Sequence, residues 1–364
     1  MTRDLRLDVF RGMALVIILI DHLPGNLWSR FTLGRFGISD AAEGFVLISG
    51  IATGLAYGGS FREPGQIMAG IRRIGHRVWT LYLVQIFITV LALAIAAGLA
   101  RWFGLPDMAA INQASAVYSD PQSSLIRIPL LMQHLNYADI LPLYIMLLAA
   151  SPLMLWLAWH MPLVLLVASV ALWLLTGLNG WNLPNHPSPA GWYFNPLAWQ
   201  LIFVIGILIA TAMKQGRRLV PATPWLLVPA CAILVFGLVH QRVAPWSDVS
   251  WVLPQQANLP DIFTSVQKTF LPLQRLIHAL ALAYVLSYFP IVRQICASRP
   301  LAPFALLGRH ALPVFATICV LNFAMQVVRI KTGVDVVLDT AMLVAGLSAV
   351  LALAAARQYW PKTA

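Results

Sequence analysis

The sequence predicts an all-α, polytopic transmembrane bundle of about ten spans, with both termini cytoplasmic. Three observations predict it. Of 364 residues, 60% are hydrophobic and 10% charged, where a soluble domain carries about 25% charged residues. Apolar runs close to the roughly 20 residues that cross a bilayer recur along the whole chain. Lys and Arg gather in the shorter segments between those runs, as the positive-inside rule requires. There is no internal repeat, so residues 1–364 read as a single integral-membrane domain.

The spans are expected at 9–28, 41–59, 75–100, 138–158, 161–178, 196–213, 223–241, 272–290, 303–327 and 334–356. The first run, 9–20, reads as a retained helix, because Asp21-His22 ends it and no small-residue cleavage pattern follows. The inner segments hold Arg62, Arg72, Arg73, Arg77, Arg217 and Arg218. The longer outer segments, 101–137, 179–195 and 242–271, are rich in Trp, Pro, Asn and Gln. In them Trp181, Trp192, Trp246 and Trp251 suit either interfacial anchoring or stacking on a sugar ring.

The net charge of +11 lies beside apolar runs. That fits helix orientation and anionic lipid, not nucleic acid. Cys231, Cys296 and Cys319 form neither a CxxC pair nor an even framework. No His/Glu set has metal spacing, and no metal is expected. A Gly-rich phosphate loop of the Walker type is missing as well, which argues against ATP chemistry.

Chemistry concentrates in 7–54. Asp8, Arg11, Asp21 and His22 sit in the first apolar run, and Asp40 and Glu43 open the second. A charge at mid-span costs roughly 2.5–3.5 kcal/mol on insertion scales, so ionisable residues there are functional candidates. Arg11 and His22 are eleven positions apart, which returns to within about 20° of one helix face, roughly 16 Å further along. Asp8 falls on the same stripe, one turn earlier. Asp21 points about 80° away by the same count. Glu43, Gly50 and Gly54 share a face on the second helix, and glycines there let another backbone approach closely. A plausible arrangement brings Glu43 to His22.

The Asp8-x-x-Arg11-Gly12 motif, the ten residues between Arg11 and His22, the Asp21-His22 pair and Phe45-x-x-x-Ser49-Gly50 resemble integral-membrane acyltransferases of the acyltransferase-three superfamily. Within it the chain is most similar to the OpgC family, through 37–50 (GISDAAEGFVLISG), 141–144 (LPLY), 195–200 (NPLAWQ) and 307–315 (LGRHALPVF). That family succinylates osmoregulated periplasmic glucans. The resemblance implies acyl transfer from acyl-CoA, a co-substrate and not a bound cofactor, to a sugar hydroxyl, with His22 catalytic.

His22 would then act as general base or as acyl acceptor, and both remain open. Asp21 and Glu43 are its candidate helpers. Successive helical residues diverge by about 100°, so Glu43 is the better geometric choice for holding the His22 tautomer. Arg11, Ser49, Arg73 and Arg77 are candidates for the donor, since coenzyme A is phosphorylated and Arg binds phosphate bidentately. Asp139, Trp199, Gln200, Arg275, His278 and His310 are polar marks in or beside apolar runs, assigned to the acceptor or the acyl group. Arg275 is the choice for a second acyl carboxylate. Asn322 and Gln326, four apart, read as interhelical hydrogen bonding. The expected partners are cytoplasmic acyl-CoA, a periplasmic glucan and the lipid of a bacterial inner membrane. The rival reading is a secondary transporter or a lipid or polysaccharide permease, which also buries charge but is expected to carry repeats or matching broken helices.

Overall fold

The computed structural model describes residues 4–104, 111, 113–242 and 259–359. Trp246 and Trp251 lie outside the described residues. Every regular element among those described is helical.

Local chemistry sets the helix ends. α1 (Leu5–Asp21) opens at Asp4, whose carboxylate accepts from the Arg6 amide at 3.0 Å. α2 (Ala41–Tyr57) opens on a capping box. Asp40 accepts from the Ala42 amide, and Glu43 reaches back to the Asp40 amide, each at 2.9 Å. α3 (Ile67–Phe103) runs for 37 residues and stops at Gly104 in the left-handed conformation. α4 (Ile140–His160), α5 (Pro162–Asn179), α6 (Pro196–Lys214) and α7 (Pro224–Arg242) follow. Proline begins three of them, at a position whose amide has no helical partner.

α8 (Leu273–Tyr288) and α9 (Pro290–Cys296) are bent by 85° at Phe289-Pro290. α10 (Ala302–Arg309), α11 (Ala311–Thr332) and α12 (Val336–Tyr359) complete the bundle.

α6 is the axis: 78% of its apolar stretch is buried, against 17% for α7 at the rim. The glycine face expected on α2 meets α6. A Cβ on Gly50 would strike the Phe203 carbonyl, and one on Gly206 the Leu47 carbonyl. A second crossing of this kind joins α1 to α10. There a Cβ on Gly12 would collide with the Phe304 carbonyl, and one on Gly308 with the Asp8 carbonyl. Asp8-x-x-Arg11-Gly12 and Leu307-Gly308-Arg309-His310, from opposite ends of the chain, are thus pressed together.

The spans differ from expectation in three places. Among the described residues, eight helices are long and apolar enough to cross a membrane, or nine if α8 and α9 count as one broken span. α1 is the tenth of the expected set, at 17 residues. It ends at Asp21 and not near 28, and the chain continues through 3-10 turns at Leu27–Phe31 and Leu33–Arg35. The expected span 303–327 is broken at His310. Pro313 has no amide for the Arg309 carbonyl, and its ring crowds that carbonyl, so a continuous helix fails there.

With α1 and the broken pair each counted as one crossing, reporter fusions after Gly59 and after Lys362 are expected to read cytoplasmic, and one at Pro121 periplasmic. A periplasmic C-terminus would remove one crossing from this count. Gly308→Ala is expected to lower the melting temperature in detergent, since overpacking costs about 1–3 kcal/mol. Gly98→Ala, where a Cβ meets nothing within 4 Å, is expected to leave it unchanged or raised.

Candidate active site

Two of the cavities along α1 hold Arg11 and His22. The first, of about 360 Å³, is lined by His22 and Asp21 together with Asp40, Asp139, Tyr137 and Lys268. The turn that carries His22 is held from α11. Gln326 donates to the His22 carbonyl, and Arg329 donates to that of Pro24. Arg329 in turn lies 3.2 Å from Asp339 on α12. Asn26 closes the turn from within, its amide donating to the carbonyls of Ile20 (2.8 Å) and Leu23 (2.6 Å). The Tyr137 ring rests against the imidazole with centroids 4.8 Å apart. Tyr137 sits at φ 70°, in the left-handed region. A non-glycine residue there costs on the order of 1–3 kcal/mol, a strain that tends to mark functional sites. The His22 Nδ1 is enclosed and has no hydrogen-bond partner.

The far wall of this cavity is an ion network. Arg275 Nε donates to Glu43 at 2.6 Å, and Arg275 Nη2 lies 3.2 Å from Asp40. Lys268, from the loop before α8, also pairs with Asp40. Burial works against the Asp40 carboxylate, but Lys268 and Arg275 outweigh it and hold the group below the usual carboxylate range. Burial likewise disfavours the Lys268 ammonium, yet Asp40 more than offsets it and raises the amine above its ordinary value.

The second cavity, of about 570 Å³, holds Arg11, Arg77, Arg309, His310 and Arg357. Its described lining includes no carboxylate, although Arg11 lies 4.0 Å from Asp8 behind it. Ser49, Tyr57 and Tyr144 also face it. The Ser49 hydroxyl donates to the Phe45 carbonyl at 2.8 Å.

The expected residues therefore divide. His22, Asp21 and Asp139 meet in the first cavity, and Arg11, Ser49 and Arg77 in the second. Arg73 stays outside, exposed, with its guanidinium 5.4 Å over the Tyr57 ring. His310, assigned to the acceptor or acyl group, instead lies with the arginines. Glu43 does not hold His22. One of its oxygens is taken by Arg275 and the other by the Asp40 amide. Arg275, engaged by both carboxylates, is correspondingly not open to an acyl carboxylate.

Three more acceptor candidates have structural partners. Trp199 is fully buried and donates to the Lys268 carbonyl at 2.8 Å. Gln200 clamps Ser169 on α5 through both amide atoms, at 2.6 and 2.8 Å. His278 fits between Gly37 and Gly237, with Nδ1 at 2.7 Å from the Ser39 hydroxyl. Trp192 is buried and donates to the Pro184 carbonyl, so it presents no stacking face. Trp181 remains exposed. Gln326 makes the interhelical bond expected of it. Asn322 is fully buried with both amide atoms unbonded.

The sequence reading missed Lys268, Tyr137 and Tyr193 in the first cavity and Arg357 in the second, and marked Arg309 only as the neighbour of His310. Arg309 stood in a motif already singled out beside His310. Lys268 and Arg357 stand outside every motif and spacing that the sequence offers.

Because Glu43 is tied to Arg275, Glu43→Gln is expected to lower thermal stability and leave the pH profile of turnover in place. Breaking one partner of a buried ion pair costs about 3–5 kcal/mol, so Arg275→Met should destabilise more than Glu43→Gln. A displaced pH profile at unchanged melting temperature would instead restore a direct coupling of Glu43 to His22.

No solved structure matches this chain. Among curated proteins, a glycerol-3-phosphate acyltransferase of Halalkalibacterium halodurans is 31% identical over 110 residues, covering 28% of this chain and 53% of its own length. The chain thus spans about half the length of that relative. The broader match is to the family described as OpgC protein, and it runs over residues 3–362. Together with the paired motifs at Gly12 and Gly308, that end-to-end match makes the chain a member of the OpgC family.

Proposed function

We propose that the chain is a membrane-embedded O-acyltransferase that moves a succinyl or other short acyl group from acyl-CoA to a hydroxyl of a periplasmic glucan. One observation carries the reading: a cationic cavity that holds Arg11 and a carboxylate-lined cavity that holds His22 lie at successive levels along α1. Arg11, Arg77, Arg309 and Arg357 suit a donor bearing several phosphates. Asp21, Asp139 and the tyrosines suit a polyhydroxyl acceptor, since carboxylates accept from hydroxyls and aromatic faces stack on sugar rings. Arg11 and His22 are roughly 16 Å apart along the axis, a distance suited to a phosphate-terminated arm carrying a thioester. The acyltransferase relative and the OpgC family are consistent with this assignment. In the same reading the donor enters from the cytoplasm, and the protein resides in the bacterial inner membrane.

In the proposed reaction the His22 imidazole takes the proton of the acceptor hydroxyl. The oxygen attacks the thioester carbonyl, the C–O bond forms, and the C–S bond breaks. The departing thiolate takes the proton from the imidazolium, which returns His22 to its neutral state. Tyr137 and the Gln326-held turn fix where the ring stands. A transporter is the second reading, and the 85° break between α8 and α9 is the feature that favours it.

The test is acyl-CoA binding by calorimetry beside product formation from labelled succinyl-CoA and a glucan. His22→Ala is expected to abolish transfer, with loss of about 10²–10⁴ in rate at least, and to keep donor binding. Arg11→Ala is expected to weaken donor binding by about 1.5–3 kcal/mol. Parent protein that neither binds nor turns over acyl-CoA would favour the transporter.

A further inference from the structure

The two cavities approach each other at one place. Among the described residues, Ile140 is the single residue that lines both. It is the first residue of α4. Asp139 before it faces the His22 cavity, and Leu141 and Tyr144 after it face the arginine cavity. α2 makes the same passage within one turn, from Ala41 and Ala42 on the His22 side to Phe45 on the arginine side. Phe315 of α11 also lines the arginine cavity, its ring 6.4 Å from that of Phe45. Ile18 and Ala42 line the first cavity, Phe45 and Phe315 the second, and Ile140 both, all of them apolar.

An apolar neck between two charged cavities has a definite selectivity. Phosphates held by arginines cannot enter it without losing their partners and their water. A thioester with a short acyl chain can. The width of the neck then limits the acyl group and leaves the donor's head untouched. Ile140 is 7% exposed and Phe315 2%, so both walls are backed by packed protein and yield little. In such a wall the side-chain volume at 140 decides what passes.

We propose that Ile140 is the specificity-determining residue of this passage, and that with Phe45 and Phe315 it sets the largest acyl group that reaches His22. The proposal rests on the acyltransferase reading above. One methylene in a fitted apolar site changes selectivity by about 10-fold to 200-fold, and Ile140→Ala removes three carbons.

The experiment uses the full-length protein in detergent with acetyl-, succinyl- and hexanoyl-CoA and one glucan acceptor. Ile140→Ala is expected to raise hexanoyl transfer relative to succinyl transfer by about tenfold or more, with donor affinity unchanged. Ile140→Phe is expected to lose about tenfold or more in transfer of every acyl group while binding each donor as the parent does. Phe45→Ala, on the facing wall, is a second variant expected to move selectivity in the direction of Ile140→Ala, should either substitution at 140 fail to fold. Parent-like rates and parent-like selectivity in the folded variants would overturn the proposal and leave the acyltransferase reading standing. A parent protein that transfers none of the three acyl groups would overturn both.

Discussion

Asp40 and Glu43 share the first turn of α2, and three separate parts of the chain converge on them. Arg275 arrives from α8, Lys268 from the preceding loop, and the helix contributes its own amides through the capping box. A helix N-terminus favours negative charge, but two buried carboxylates there repel each other and need cations. Arg275 and Lys268 supply them, and Trp199 fixes the Lys268 carbonyl from α6. The network therefore orders the wall of the His22 cavity, the start of α2 and the loop into α8 together. Buried pairs of this kind contribute little net stability when whole and cost several kcal/mol when broken. Their effect here is to fix geometry.

The charge of the two cavities is segregated by helix periodicity. Arg11 lies within α1 and His22 immediately past its end, and each cavity takes one of them. Residues from distant segments then extend the local sign. Arg77, Arg309 and Arg357 join Arg11, while Asp40 and Asp139 join Asp21. Because α10 crosses α1 in contact at Gly12 and Gly308, Arg309 is delivered beside Arg11 by backbone packing alone. The short glycine crossing is what turns two remote motifs into one surface.

Much of this was legible before the coordinates. The all-helical class, the Arg11–His22 stripe and the glycine face of α2 all follow from spacing, because a helix maps sequence intervals onto angles with little ambiguity. Periodicity also says that a polar residue in an apolar run faces protein. It does not say whether that protein is a cavity or a partner side chain. Gln200, His278 and Arg275 were assigned to a cavity and instead bond Ser169, Ser39 and Glu43. Lys268 and Tyr137 reach the site from irregular segments, where spacing carries no angular information. The break at His310 had a sequence signal in Pro313, four residues after Arg309, but the run's apolar character masked it.

At 37 residues, α3 measures about 55 Å, against about 30 Å of hydrocarbon. Its uncharged stretch runs from 78 to 100, and Arg72, Arg73, His76 and Arg77 stand immediately before it. With that stretch seated in the hydrocarbon, Arg77 falls at the level of the lipid headgroups, in the wall of the cavity it lines. Arg77 therefore moors the helix at its depth in the bilayer.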